Sequence, residues 1–163
     1  MKNWLELSNT EEERVWNKIY DELRFEPSML NFPSFNVPTP FITYDISLYF
    51  GKYKGFDAYD DLEEKALLVF QENTSVNEYI YALDWQHECY WINPYLEFQK
   101  NEFENWTVPI FPNGDYYFFI QKDFEWGYLG HPWERTITVF GKELIKGFEK
   151  HRPRMFQKIL RQG

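Results

Sequence analysis

A chain of 163 residues, 44% apolar and 21% aromatic, has enough ring surface for a packed core and is too hydrophobic for intrinsic disorder. Its formal net charge of −9 argues against nucleic acid and anionic membranes as partners, because both bind through Lys and Arg that displace counterions. The single cysteine, Cys89, excludes an intrachain disulfide, so packing alone must hold the fold.

No linker rich in Gly, Ser or Pro divides the chain, and one domain over residues 1–163 is expected. Met1 to Glu13 hold no apolar stretch of the signal-peptide kind, and no run of about 18 apolar residues occurs. A cytoplasmic protein is the expectation.

Ser8 followed by Glu11 reads as a capping box, and Val15, Trp16, Ile19, Tyr20 and Leu23 recur at helical spacing, predicting a helix from about Thr10 to Arg24. Prolines 27, 33, 38 and 40, interleaved with Phe32 and Phe35, predict an extended strap whose rings lie on the body. From Phe41 to Phe50, Ile42, Tyr44, Ile46, Leu48 and Phe50 alternate with smaller polar residues, the period of a half-buried strand. Asp57, Asp60 and Asp61 ahead of Leu62, Ala66, Val69 and Phe70 predict a second helix ending near Asn73. Tyr79 to Leu83 is apolar on both faces, as in a central strand.

Asn113-Gly114 between the strand-like runs Trp106–Phe111 and Asp115–Gln121 is a strong hairpin signal. Phe124–Leu129 and Arg135–Phe140 continue a meander across the loop Gly130-His131-Pro132-Trp133, and Gly141 ends the sheet. Leu144, Ile145 and Phe148 predict a C-terminal helix, with Pro153 opening a second short one. The segment Lys142–Gly163 has a surplus of Lys and Arg, which suits docking on the protein's own acidic body or, alternatively, contact with RNA. The fold class is therefore α+β: an antiparallel sheet of about five to seven strands packed by N-terminal, middle and C-terminal helices.

Two polar clusters stand out. The first is Asp84-Trp85-Gln86-His87-Glu88-Cys89, running out of the central strand, with Trp91 beyond it. The second is Gly130-His131-Pro132-Trp133-Glu134, where Gly and Pro fix the backbone beside two acid–base side chains. In the functional reading Asp84, His87, His131 and Glu134 meet in one cleft walled by Trp91, Trp126 and Trp133, with Gln86 among the polar groups. In the structural reading Asp84 and His87 satisfy backbone groups at a strand end, and Glu134 pairs with Arg135 or caps a turn. Aromatic residues between Tyr116 and Tyr128 are either core or, on one face, an exposed ring surface for a partner.

His87, Cys89 and His131 are metal-ligand types and Glu88 adds a carboxylate, but no H-E-x-x-H or paired C-x-x-C spacing is present, so no metal is expected. Cys89 reads as a small buried hydrophobe and not a nucleophile. No G-x-S-x-G occurs and no serine adjoins either histidine in sequence. Phosphate-cradling glycine motifs are absent, and no cofactor is expected.

The motifs Tyr81-Ala82-Leu83-Asp84-Trp85-Gln86-His87, Pro112-x-Gly114-Asp115-Tyr116-Tyr117 and Gly130-His131-Pro132-Trp133-Glu134, leading to Phe140-Gly141, resemble a bacterial family of domains of unknown function. The resemblance runs from about Trp16 to Phe148 and implies a bacterial cytosolic origin, with no activity attached. The expected function is non-enzymatic: an acidic binding module that engages a protein or small ligand through an aromatic cleft, similar in class to toxin-neutralising proteins. The alternative is a hydrolase or lyase using His87 or His131 with Asp84 or Glu134 as acid–base groups.

Overall fold

A computed structural model describes residues 2–51, 56–96, 100 and 105–163. In chain order the elements are β1 (Trp4–Glu6), α1 (Asn9–Glu22), β2 (Phe41–Asp45), α2 (Phe56–Glu72), β3 (Ile80–Asp84), β4 (Tyr90–Ile92), β5 (Tyr117–Ile120), β6 (Gly127–His131), β7 (Thr136–Phe140), α3 (Lys142–Lys150) and β8 (Lys158–Gln162). All eight strands form one sheet in the order β1-β4-β3-β5-β6-β7-β2-β8, with every pairing antiparallel. The α+β class and the three helices are as the sequence predicts, and β1 and β8 close the two edges.

Alternation along β5 shows how the sheet is buried on both sides. Tyr117 and Phe119 point into the cluster that holds Leu62, Val69, Phe70 and Phe148 from α2 and α3. Tyr116, Phe118 and Ile120 point into the cluster of Val15 and Ile19 from α1 and Phe25 and Phe35 from the strap. Successive side chains face opposite sides, so this run of rings makes two cores. The option of an exposed aromatic face is not realised, because both faces are covered.

The first helix begins as the capping box requires, with the Glu11 N–H donating to Ser8 Oγ at 3.2 Å, which satisfies one of the free donors of the first turn. Helices α2 and α3 pack closely at Gly147, where a Cβ would lie 2.7 Å from Val69 Cγ1; only glycine allows that approach. The proline-rich strap is not extended as expected but doubles back, with the Glu26 N–H donating to the Ser34 carbonyl and the Asn36 N–H to the Leu23 carbonyl, both at 2.7 Å; Phe35 is buried. Phe32 is partly exposed but sets its ring edge on His131, centroids 5.0 Å apart.

Three other local expectations are corrected. Asn113-Gly114 does not close a hairpin: β5 already pairs with β3 on one side and β6 on the other, so no edge is free for Trp106–Phe111. That segment, which lacks an N–H at Pro109, instead sends Trp106, Val108, Ile110 and Phe111 into the α2 and α3 core. The strand that begins at Phe41 ends at Asp45 and turns through a 3-10 segment, Ser47–Tyr49, because the Asp45 carboxylate accepts from the Ser47 N–H at 2.9 Å and bends the chain. After Pro153 the chain makes a turn, with the Phe156 N–H donating to the Pro153 carbonyl at 3.0 Å, and then forms β8 and not a second helix, held by pairing with β2 and by the Phe156 ring stacked on Tyr44, centroids 4.2 Å apart. The basic C-terminal stretch lies on acidic groups of the body: Lys150 on Glu72, Lys158 on Asp45 and Arg161 on Glu134.

Candidate functional site

The register of β3 with β5 pairs Asp84 with Tyr117, placing Asp115, two residues before Tyr117, beside the end of β3. Both carboxylates are more than nine-tenths buried, Asp84 8% and Asp115 4% exposed. Each is oriented by backbone donors. Asp84 Oδ1 accepts from the Gln86 and His87 N–H groups at 3.0 and 3.2 Å, and Asp115 Oδ1 accepts from the Tyr116 N–H at 2.7 Å. His87 stands over the pair with Nδ1 3.1 Å from both Asp84 oxygens and 3.7 Å from Asp115 Oδ2.

Burial, followed by the neighbouring Asp84, raises the Asp115 carboxyl to about 7. The hydrogen bond to Asp84 and then its charge raise the His87 imidazole above its ordinary value. Two carboxylates in one poorly solvated site resist carrying two full charges, so the pair draws protons, cations or hydrogen-bond donors toward it.

Asp84 and His87 line a cleft of about 660 Å³, with Asp115 beside them. Its walls are rings: Phe50, Tyr59, Trp106, Phe111 and Tyr117, with Phe111 packed 4.7 Å from Phe50 and 4.6 Å from Tyr59 between centroids. Tyr117 is 8% exposed, and its hydroxyl has no hydrogen-bond partner among the described residues. Burial and the charges of Asp84 and Asp115 push its phenol up to about 12, so it acts as a neutral donor or acceptor. Glu63, at the rim, is raised by burial, with Lys100 partly offsetting that.

The family described as "Protein of unknown function (DUF2716)" matches residues 6–145. This chain belongs to the DUF2716 family. The match takes in Asp84, His87, Asp115 and Tyr117, and extends further toward the N-terminus than the sequence motifs suggest. The chain is also 40% identical over 161 residues to the uncharacterized protein YxiI of Bacillus subtilis (strain 168), covering 96% of this chain and 99% of that one. No solved structure matches.

In this DUF2716 chain the two histidine motifs reach the same end of the sheet but opposite faces. Asp84 faces the α2 and α3 side with Tyr117, whereas His131 lies on the α1 side among Phe35, Tyr116 and Trp133. They do not share a cleft. Gln86 joins the first group only through its backbone N–H, which also lies 3.3 Å from Asp115 Oδ2. Trp126 is core, stacked on Phe70 at 5.6 Å. Trp91 stacks on Tyr81 at 4.2 Å and lines a separate open groove with Leu5 and Tyr79. Trp133 packs edge-on against Tyr116.

The fold brings a serine to His131 that the sequence alone does not: Ser34 Oγ lies 2.8 Å from Nε2. The tautomer rules this pair out as a catalytic dyad. Nδ1 accepts from the Trp133 and Glu134 N–H groups at 3.3 and 3.1 Å, so the ring proton sits on Nε2 and is donated to Ser34. A general base would need a lone pair there. The Ser34 hydroxyl can then donate to the Tyr116 oxygen at 2.7 Å, and Tyr116 to the Ser28 carbonyl at 3.3 Å. This relay ties the strap to the sheet and leaves no buried polar atom unmatched along it. Burial holds His131 down at about 4.

Glu134 is engaged with Arg161 in a two-point pair at 3.0 and 2.6 Å and accepts from Thr136 at 2.9 Å, instead of pairing with Arg135. Cys89 is fully buried, and burial raises its thiol to about 11. Asp115, Tyr117, Tyr59 and Trp106 are not among the candidate site residues that the sequence offers, although Asp115 and Tyr117 fall in one of its motifs. The available signal was Asp115 itself, a carboxylate set directly against the apolar run Tyr116–Ile120.

Among the described residues, Asp84, His87 and Asp115 form a group whose donor atoms all lie within 4.8 Å of one another. It differs from the set His87, Cys89, His131 and Glu88 that the sequence offers, since Cys89 and His131 face the other core. No described helix is long and apolar enough to cross a membrane.

Proposed function

We propose that this protein is a binding module for a small ligand held in the ring-walled cleft, with the ligand's electropositive end on Asp84 and Asp115 and its apolar body between the rings. The observation that carries this reading is a pair of carboxylates, both more than nine-tenths buried, of which Asp84 lines an open aromatic cleft and Asp115 lies next to it. Folding alone gains little from two adjacent buried acids, one of which is raised to about 7. A cationic or donor-rich ligand relieves that repulsion, and ring faces attract cations. A small ligand is favoured over a protein partner because the rings of the central strands are buried and the cleft is concave.

The alternative acid–base chemistry is reduced to His87 with Asp84, since His131 has the wrong tautomer and Glu134 is held by Arg161. What supports it is the Asp84 contact at Nδ1, which leaves Nε2 of the exposed His87 without a partner among the described residues.

Saturation-transfer NMR of the metal-stripped protein with benzylamine and benzoate tests the binding reading. Benzylamine binds, benzoate does not, and Thr107→Trp, which fills the cleft from its wall, abolishes the signal. Equal binding of the two probes, or benzylamine binding that survives Thr107→Trp, overturns it.

A further inference from the structure

We infer that Asp84, Asp115 and His87 form a site for a divalent metal ion, with the Tyr117 hydroxyl facing the ion's open coordination positions. The inference rests on the cleft being the ligand site and names the electropositive group that it holds.

The first argument is spacing. Around an ion with bonds of about 2.1 Å to N and O donors, neighbouring donors in a tetrahedron stand about 3.4 Å apart and opposite donors in an octahedron about 4.2 Å apart. His87 Nδ1 lies 3.1 Å from Asp84 Oδ1 and 3.7 Å from Asp115 Oδ2, on either side of the tetrahedral edge. The side chain of His87 is 67% exposed, so its ring can move by the few tenths of an ångström needed without disturbing the core.

The second argument is the outer shell. Metal-binding carboxylates are themselves held by hydrogen bonds, and here the Gln86, His87 and Tyr116 N–H groups hold both acids. The inner positions are thus fixed by backbone, and only the histidine is mobile.

The third argument is independent of the acids. Tyr117 is nine-tenths buried, lines the same cleft, and carries a hydroxyl with no partner among the described residues. With the rest of the residue buried, that hydroxyl opens only onto the cleft, where a water or ligand atom on the metal would meet it. The donor set of two carboxylates and one imidazole suits Zn²⁺ or Mn²⁺ better than Ca²⁺, which takes six to eight oxygens. Three protein donors leave open positions toward the rings, the pattern of sites that bind a further group and not of closed structural ones.

Isothermal titration of metal-stripped protein with ZnCl2, MnCl2 and CaCl2 in a non-chelating buffer tests the site. One equivalent of Zn²⁺ or Mn²⁺ binds, Ca²⁺ binds at least about tenfold more weakly, and His87→Ala and Asp115→Asn each weaken the tight ion at least about tenfold. His87 is exposed, so His87→Ala keeps its fold, as an unchanged thermal melt verifies. His151→Ala, removing the other histidine that lies beside a carboxylate, leaves the affinity unchanged. The inference is overturned by no binding of Zn²⁺ or Mn²⁺ up to about 1 mM, or by affinity that survives His87→Ala. Benzylamine binding without metal binding removes the metal and keeps the cleft as a ligand site, whereas failure of both probes removes both.

Discussion

His131 provides a quantitative test of the strap relay. Its ring is fully inaccessible and held at about 4 by burial, with Glu134 partly opposing and Arg161 adding to the depression; in an unfolded chain it titrates near 6.5. The folded value is the lower one, so as pH falls below about 6.5 the unfolded chain takes up a proton that the folded protein refuses. Stability present above about 6.5 is lost progressively toward pH 4.

At pH 5 the unfolded histidine is about 97% protonated and the folded one about 10%, which works out to a loss of about 2 kcal/mol relative to pH 7.5. His131→Gln removes this titration while keeping an acceptor for the Trp133 and Glu134 N–H groups. The variant is expected to be less stable than wild type by about 1–3 kcal/mol at pH 7.5, with the gap closing by about 2 kcal/mol at pH 5. Asp115 and His87, both raised, favour the folded state as pH falls, but they are present in both proteins and cancel in the difference. Urea unfolding followed by tryptophan fluorescence at the two pH values measures the gap. A gap constant to within about 0.5 kcal/mol, or a ring that titrates near 6.5 by NMR, refutes the reasoning.

Glu134→Gln breaks the two-point pair that clips β8 to the sheet; it is expected to cost about 2 kcal/mol and to speed amide exchange over Lys158–Gln162, and unchanged exchange there contradicts that role. Tyr128 Oη donates to the Ile110 carbonyl at 2.8 Å in the core, so Tyr128→Phe is expected to cost about 1–2 kcal/mol by chemical denaturation. A neutral result would mean that the segment forming one cleft wall is not anchored there. Cys89 is expected to react with a disulfide reagent only as fast as the protein unfolds, since burial and a thiol raised to about 11 leave almost no thiolate; rapid labelling of native protein would contradict this.

The sequence by itself determined what depends on periodicity and local chemistry. Ser8 and Glu11 marked the start of α1, Asp57 to Phe70 marked α2, and the ring-rich runs from Tyr79 onward marked the central strands, because the spacing of apolar residues follows from how each element turns its side chains. The Asn113-Gly114 signal misled for a physical reason: it reports what two flanking segments could do alone, and β3 and β6 had already taken both edges of β5. Lys158–Gln162 was misread likewise, since a strand with an exposed burial pattern has no alternation to reveal it and exists only because β2 offers an edge.

The tertiary structure alone decided the site. Asp84 and His131 reach one end of the sheet, yet the two-residue repeat of extended chain turns them to opposite faces. The same repeat, with β3 paired to β5 so that Asp84 stands opposite Tyr117, brings in Asp115, a residue 31 positions along the sequence from Asp84. Strand register and face are set by which strands become neighbours, and that choice belongs to the whole packed chain.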